Sequence, residues 1–234
     1  MEFTNEVEFR VCGKFALFTD PLTRVGGEKY SYHIPTYQAL KGILESVYWK
    51  PTFVWIIDSV RVMKMIQTQT KGIRPIKYSG GNDLSIYTYL SDVEYQVRAH
   101  FEWNENRLDL ETDRNEHKHY LVAKKMIEKG GKRDVYLGAR ECQGYVEPCV
   151  FGEGAGAYDD CSELAYGFMF HGFTYPDEGD KETLFARFWH PVMKLGVIDF
   201  IRPDNCPITR VIKSQKLKPF AIGENFSLIK EEVI

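Results

Sequence analysis

"PTYQALKGILESVYWKPTFVWIIDSVRVMKMI", residues 35–66, predicts one helix followed directly by one strand, and this junction sets the fold class. Pro35 stands at the helix start, and Pro51 follows its end. Apolar residues recur at helical spacing along one face of this helix: Leu40, Ile43, Leu44 and Val47. Residues 53–66 are rich in β-branched and aromatic side chains, as strands are.

Further strands are predicted on both sides of this junction. Residues 7–18 alternate apolar and polar side chains, which indicates a strand before the helix. Residues 67–84 are basic and contain two adjacent glycines, which is typical of a long loop or a protruding hairpin. Residues 85–103 predict one long strand or two, and their odd-numbered apolar residues share a face unless a bulge intervenes.

A second helix is predicted between Asp113 and Gly130. Asp113 and Glu116 have the spacing of a capping box, and lysines precede the terminal glycines. Residues 133–139 then predict a short strand. The resulting order is strand, helix, strand, strand, helix, strand, which predicts an α+β fold with a ferredoxin-like (RRM-like, βαββαβ) N-terminal domain.

The remainder of the chain predicts a separate, smaller unit. Residues 1–140 form the predicted ferredoxin-like domain, and residues 141–162 are rich in glycine and acids, which indicates a linker. Its "FGEGAGA" motif lacks the Gly-Lys-Ser/Thr ending of a phosphate-binding loop and is flanked by carboxylates. Residues 163–234 look mostly β, so we predict a small β-rich C-terminal domain.

Composition excludes several classes of protein. Apolar residues make up 44% of the 234 residues and charged residues 27%, as in soluble globular proteins. No stretch is apolar enough for a membrane-spanning helix, and the charged start is not a signal peptide, so a cytoplasmic location is expected. The five cysteines form no C-x-x-C pair, so free thiols are expected rather than a zinc site.

Charge is segregated along the chain although its net value is only −3. Residues 60–82 hold five cations and no acid, and residues 113–133 hold seven cations and three acids. Residues 202–218 hold five cations and one acid, whereas residues 141–182 hold ten acids and one lysine. Such basic blocks form a phosphate-binding face or scatter as solvated surface, and charge alone leaves both readings open.

"NEHKHYL", residues 115–121, contains two histidines two positions apart. On a strand, that spacing suits a metal ion. On the predicted helix, residues two positions apart point about 200° apart, so His117 and His119 are not expected to share an ion.

Topology predicts a small site at the start of this second helix. In an antiparallel βαββαβ sheet, the first helix ends where the second begins, so Tyr48, Lys118 and His119 converge. The helix start adds free N–H groups for a phosphate. This set suits metal-free RNA cleavage, in which a base activates the 2′-hydroxyl and a cation stabilises the phosphorane. From spacing alone, three such residues are more often ordinary surface residues at helix ends.

Six stretches of the chain carry a collinear family resemblance: "VEFRVCGKFALFTDP" (7–21), "RVGGEKYSYHIPTYQALKGILESVYWKP" (24–51), "WIIDSVRVMKMI" (55–66), "IRPIKYSGGND" (73–83), "NEHKHY" (115–120) and "DVYLGARECQGYVEP" (134–148). On these stretches the chain resembles the Cas-five proteins of type I-C (Dvulg subtype) CRISPR systems. The resemblance implies an endoribonuclease that cuts precursor CRISPR RNA at the base of its repeat hairpin. It implies 2′,3′-cyclic phosphate and 5′-hydroxyl products and neither a metal nor another cofactor.

The same resemblance assigns site residues and partners. It places the family's catalytic Tyr, Lys and His at Tyr48, Lys118 and His119. The expected partners are the repeat RNA hairpin, the mature guide RNA whose 5′ handle is retained, and the backbone and large subunits of the interference complex. Non-specific binding of double-stranded DNA is also allowed, and no membrane is expected. Basic residues of one block are candidates for hairpin recognition: Arg61, Lys64, Arg74 and Lys77.

Two other functions compete with this one. A non-catalytic scaffold would bind the 5′ handle of the guide RNA, as most other Cas-five subfamilies do. It would not need the Tyr48, Lys118 and His119 set. A metal-dependent nuclease would instead use the histidines as ligands.

Overall fold

The computed structural model describes residues 4–20, 28–179, 182–217 and 219–231 of the chain. Two helices and thirteen strands have the following bounds: β1 Val7–Ala16, β2 Lys29–Tyr30, α1 Tyr37–Val47, β3 Phe53–Val62, β4 Thr68–Ile73, β5 Ser85–Trp103, α2 Glu116–Glu128, β6 Val135–Tyr136, β7 Gln143–Pro148, β8 Leu164–Ala165, β9 Met169–Thr174, β10 Thr183–Trp189, β11 Val192–Met193, β12 Val197–Asp199 and β13 Ile208–Ser214. The molecule is a mixed α/β protein built mainly from antiparallel sheet.

One large sheet organises the molecule. Its strands lie in the order β12-β3-β5-β1-β7-β6, and every neighbouring pair in this order is antiparallel. The odd positions of β5 face the core, as the alternation predicts, and Val97, Ala99 and Phe101 are fully or almost fully buried there. Asp92 of β5 has a φ of 51°, so the backbone is left-handed at this residue.

Helix α1 forms where the sequence predicts it. The Thr36 hydroxyl accepts a hydrogen bond from the Ala39 N–H at 3.1 Å and caps the first turn. The four residues of the predicted apolar stripe are all buried against the sheet: Leu40, Ile43, Leu44 and Val47. The helix ends when Tyr48 adopts extended backbone angles.

Helix α2 begins two residues later than the predicted capping box implies. Asn115 is its N-cap, and its side-chain oxygen accepts a hydrogen bond from the Lys118 N–H at 3.0 Å. Asp113 instead ends a 3₁₀ turn, Leu108–Asp113, and its carboxylate accepts a hydrogen bond from Thr52. The capping prediction was wrong because a tertiary contact takes up the Asp113 carboxylate.

A hairpin extends the sheet beyond its compact part. Strand β4 pairs with the first half of β5, and residues 74–84 form the exposed tip between them. The sequence left open a loop or a protruding hairpin here, and the structure has the hairpin. Strand β2 lies parallel to the same half of β5.

The predicted linker, residues 141–162, contains a strand of the large sheet. Residues 143–148 form β7, which pairs with β1, whereas the expected last strand at 133–139 is only the two-residue β6 at the sheet edge. The large sheet therefore includes residues beyond 140. Alternation in "QGYVEP" carries the strand signal, which the acidic and glycine-rich surroundings mask.

The C-terminal residues are mainly β, and they are joined closely to the large sheet. Strands β9, β10 and β13 form a separate three-stranded antiparallel sheet, and β8 pairs with β11. Strand β12 returns to the large sheet and pairs with β3. His171 of β9 stacks on Tyr37 of α1 at 4.3 Å between ring centroids, so a shared aromatic core joins the two sheets. No helix of the described residues is long and apolar enough to cross a membrane.

Candidate active site

Tyr48 and His119 meet at the place where α1 ends and α2 begins. The Tyr48 hydroxyl lies 2.8 Å from His119 Nδ1. The backbone of Tyr48 is held on both sides, since its N–H donates to the Leu44 carbonyl and its carbonyl accepts from the Trp55 indole, each at 2.8 Å. The antiparallel course of the two helices thus brings together side chains that are 71 positions apart.

The second ring nitrogen of His119 identifies the tautomer. Nε2 lies 2.9 Å from the backbone carbonyl oxygen of Asp113. Because a carbonyl oxygen only accepts, Nε2 carries a proton, and in the neutral ring Nδ1 then accepts from the Tyr48 hydroxyl. In this arrangement His119 is a base that faces the Tyr48 phenol.

Aromatic rings enclose this pair. The His119 ring makes edge contacts with Phe53, Phe101 and Trp103 at centroid distances of 5.2, 6.1 and 5.7 Å. His119 is 0% exposed and Tyr48 is 1% exposed. A substrate therefore reaches the Tyr48 hydroxyl only after side chains that cover it move.

Lys118 and His117 differ from His119 in exposure. Lys118 is half-buried on the first turn of α2, and His117 is exposed. Since His119 is fully buried, the two histidines face different surroundings, as helical spacing predicts. No cluster of three or more potential ligands (His, Cys, Asp or Glu) that could hold a metal ion occurs in the described part of the chain.

Arg61, one of the four predicted RNA contacts, is buried inside the protein. Its side chain forms an ion pair with Asp159 at 2.7 Å and donates to the carbonyls of Glu153 and Gly154 and to Gln96. A guanidinium with these protein partners ties the acidic glycine-rich segment to the sheet. Sequence reasoning misread Arg61 because the basic block in which it lies gives no sign of burial.

The other three predicted RNA contacts lie at or near the hairpin. Lys64 is 40% exposed and pairs with Asp92 at 2.7 Å, while Lys77 pairs weakly with Asp83 at 3.6 Å. Arg74 is exposed near the hairpin tip. Tyr78 projects fully into solvent at the same tip, so the surface offers both cations and an aromatic ring.

Aromatic rings with cations above them line the base of the hairpin. Lys71 of β4 lies 3.3 Å from the Phe15 ring centroid, and Lys29 of β2 lies 4.6 Å from that of Tyr87. Burial raises the pKa of the neighbouring Tyr89 to about 12, so its phenol is neutral at physiological pH. Sequence reasoning did not single out Lys29 and Lys71. The alternating tyrosines of β5 were the available signal.

The fold and the buried Tyr48–His119 pair together define an α+β protein with a candidate acid–base site between two helix ends. A family model described as CRISPR-associated protein (Cas_Cas5) matches residues 6–201. The chain belongs to this family of CRISPR-associated proteins, as its resemblance to the Cas-five proteins implied.

Two solved structures resemble the whole fold. One is a CRISPR-associated protein that is 38% identical to this chain, with a TM-score of 0.76. The match includes 88% of this chain and 97% of that protein. The other is a functionally uncharacterized protein from Streptococcus mutans, which is 39% identical with a TM-score of 0.74 and the same coverage.

Two curated relatives carry an activity in their names. A CRISPR pre-crRNA endoribonuclease Cas5d from Mannheimia succiniciproducens is 36% identical over 66 residues, which cover 28% of each chain. The protein of the same name from Thermus thermophilus is 26% identical over 152 residues, 61% of this chain. The matched stretches span 28% and 63% of the relatives' own lengths.

Proposed function

We propose that this protein is the endoribonuclease that cleaves precursor CRISPR RNA at the base of the repeat hairpin. The single observation that carries the proposal is the contact between Tyr48 and His119 at 2.8 Å. Family membership and the names of the curated relatives support the same activity.

The chemistry follows from the residue types. Tyr48 and His119 move the proton of the RNA 2′-hydroxyl, and Lys118 stabilises the negative charge of the phosphorane. The 2′-oxygen attacks phosphorus, so the products are a 2′,3′-cyclic phosphate and a 5′-hydroxyl. This route needs no metal ion, because the RNA supplies the nucleophile and the protein supplies the charge and the proton acceptor.

We also propose that the N-terminal unit is ferredoxin-like. Support comes from four strands in the order β3-β5-β1-β7, all antiparallel, with α1 after β1 and α2 after β5. In this arrangement β7, not β6, is the fourth strand of the fold, and the unit ends near residue 148. That topology accounts for the meeting of the two helix ends.

RNA recognition is assigned to the protein's β4–β5 hairpin and the base of that hairpin. Lys64, Arg74 and Lys77 are the proposed phosphate contacts, and Arg61 is left out because it is buried and bonded within the protein. After cleavage, the protein retains the 5′ handle in the interference complex beside the backbone and large subunits. Non-specific binding to double-stranded DNA would use the same basic surface.

The test is cleavage of repeat RNA in EDTA. Three reactions run in parallel: wild type with natural RNA, wild type with RNA that has a 2′-deoxy nucleotide at the scissile position, and His119→Ala with natural RNA. We expect cutting only in the first reaction. The cyclic phosphate end is identified by mass spectrometry.

The other outcomes separate the competing functions. Cutting of the deoxy RNA contradicts the 2′-hydroxyl mechanism, and cutting that requires added Mg²⁺ contradicts metal independence. Tight binding with no cutting by wild type favours a non-catalytic scaffold that binds the 5′ handle. The buried site opens only when side chains move. If wild type binds the RNA without cutting it, the assay is therefore repeated with RNA that contains the full repeat hairpin.

A further inference from the structure

Asp113 is a fully buried carboxylate that lies between three segments of the chain. Its Oδ2 accepts a hydrogen bond from the Thr52 hydroxyl at 2.7 Å, in the turn before β3. Its Oδ1 accepts from the backbone N–H of Ile229, near the C-terminus. The residue itself is 0% exposed and ends the 3₁₀ turn that precedes α2.

Two donors stabilise this carboxylate in the protein interior. Burying a carboxylate without partners costs much free energy. Hydrogen bonds from a hydroxyl and an amide offset part of this desolvation cost. The two donors also fix the orientation of Asp113, and with it the direction of the Asp113 carbonyl. That carbonyl is the group that accepts the proton of His119 Nε2 at 2.9 Å.

The carboxylate itself lies close to the same ring nitrogen. Oδ2 is 3.7 Å from Nε2, so Asp113 acts on His119 through its carbonyl and through its charge. Asp113, His119 and Tyr48 therefore form a line of contacts in which each group orients the next. The direct contact to the ring is made by the Asp113 carbonyl, because the carboxylate lies beyond hydrogen-bond distance.

We propose that Asp113 is a positioning residue for RNA cleavage, which acts on the substrate through His119 and Tyr48. The inference rests on the proposed function. Asp113 keeps Nε2 protonated, so that Nδ1 stays the basic nitrogen that faces the Tyr48 hydroxyl. Its negative charge stabilises the imidazolium that forms when Nδ1 takes a proton.

The proton balance of the step is complete. The 2′-hydroxyl gives its proton to the Tyr48 oxygen as Tyr48 gives its own to His119 Nδ1. The 2′-oxygen forms a bond to phosphorus, and the bond from phosphorus to the 5′-oxygen breaks. The leaving 5′-oxygen takes a proton from water on the opposite side, and His119 later releases its extra proton to solvent.

The first experiment examines the wild-type protein and needs no variant. Long-range ¹H–¹⁵N NMR of the imidazole nitrogens distinguishes the two neutral tautomers of His119. We expect a protonated Nε2 and an unprotonated Nδ1. The opposite tautomer would overturn the proposal, whether or not the protein cleaves RNA.

The second experiment compares variants of Asp113 and its partner. Asp113→Asn cannot accept from both Thr52 and Ile229, so we expect a cleavage rate at saturating RNA about 10–100-fold lower, with unchanged RNA affinity. Thr52→Val removes one donor and leaves the other, so a smaller loss is expected. Asp109→Asn is the matched control, because Asp109 lies on the same 3₁₀ turn, is half-exposed and pairs with Arg107.

The results distinguish this inference from the proposed function. A folded Asp113→Asn protein that cleaves as fast as wild type overturns the positioning role and leaves the RNase intact. Absence of cleavage in wild type contradicts the RNase itself, and the NMR measurement still decides the tautomer. If Asp113→Asn fails to fold, the Thr52→Val protein provides the test. A cleavage rate equal to that of wild type for Thr52→Val overturns the inference.

Discussion

At the scale of single residues, Tyr48 has two roles: its ring packs in the core, and its hydroxyl has the proposed chemical role. Tyr48 is almost fully buried and its ring lies 5.6 Å from Phe53, so the ring contributes to the core. Its hydroxyl contacts His119. The ring and the hydroxyl can be tested separately, because phenylalanine keeps the ring and removes only the oxygen.

Tyr48→Phe is expected to lower the rate of RNA cleavage about 100-fold or more, because proton transfer by a positioned group contributes this much. RNA affinity should change little, and thermal stability should fall modestly, because the buried His119 Nδ1 loses its donor. Single-turnover cleavage and thermal denaturation measure these quantities. Tyr37→Phe is the matched control, since Tyr37 is a buried tyrosine at the opposite end of α1 whose hydroxyl donates to the Trp55 carbonyl. Equal rates for both variants would remove Tyr48 from the mechanism.

Lys118→Ala is expected to slow cleavage far more than it weakens binding. A cation that stabilises the phosphorane acts mainly in the transition state, whereas a simple phosphate anchor acts equally in the ground state. The measurement is the ratio of rate loss to affinity loss. Lys125→Ala, in the last turn of α2, provides the control. Equal losses for Lys118→Ala would make Lys118 only a phosphate anchor.

At the scale of elements, one buried guanidinium makes several of the contacts that hold the segment from Glu153 to Asp159. Arg61 bonds to the carbonyls of Glu153 and Gly154 and to the Asp159 carboxylate. Arg61→Ala is expected to lower the free energy of unfolding by about 3 kcal/mol, because the Gly154 carbonyl loses its side-chain donor and the Asp159 carboxylate loses its ion-pair partner. Urea denaturation measures this value.

Lys64 is the matched control for Arg61. It lies just after the same strand, but it is 40% exposed and its pair with Asp92 is on the surface. Lys64→Ala should change the unfolding free energy by less than about 1 kcal/mol. Similar losses for the two variants would mean that the Arg61 network does not hold the segment.

Helix α1 contains a carboxylate whose protonation affects stability. Burial raises the pKa of Glu45 from 4.5 to about 7, although Lys41 lies 3.8 Å away. Because the folded pKa is raised, the contribution of Glu45 is fully present below pH 4.5 and is lost as pH rises through about 7.

Glu45→Gln is therefore expected to stabilise the protein above pH 7 relative to wild type and to have little effect near pH 4.5. The difference should be about 1 kcal/mol, since the side chain is 32% exposed and solvent screens its charge. Urea unfolding at pH 5 and pH 8 measures it. A constant difference between the two proteins across this range would contradict the prediction.

At the scale of the whole molecule, the proposed RNA binding depends on where the charges lie and not on the net charge. The net charge is −3, and yet the β4–β5 hairpin and its base carry the cations Arg74, Lys77 and Lys71. RNA binding should weaken steeply with salt, because cations at the surface displace counterions from phosphates.

The salt dependence gives a count of contacts. Arg74→Ala and Lys77→Ala should each reduce the slope of log affinity against log salt by about 1, if each contacts one phosphate. Electrophoretic mobility shift or fluorescence anisotropy at several salt concentrations measures the slope. Lys125→Ala, in the last turn of α2, should leave the slope unchanged. An unchanged slope for both hairpin variants would move the RNA contact elsewhere.

The sequence by itself determined the elements and the family. Helical and alternating periodicities carry α1, α2, β1, β3 and β5, because they record which side of each element is buried. The antiparallel course of two helices also predicted that Tyr48 and His119 would lie close together. Collinear stretches along the chain indicated the family that the family model then confirmed.

Only the tertiary structure decided the environments of individual polar side chains. The sequence predicts Arg61 to be a surface cation, but it is buried. It predicts Asp113 to be a helix cap, but its carboxylate accepts hydrogen bonds from Thr52 and Ile229. Strand β7 was hidden in an acidic, glycine-rich stretch. Each depends on a partner far away in sequence, and local periodicity reports which face is buried but not what lies opposite it.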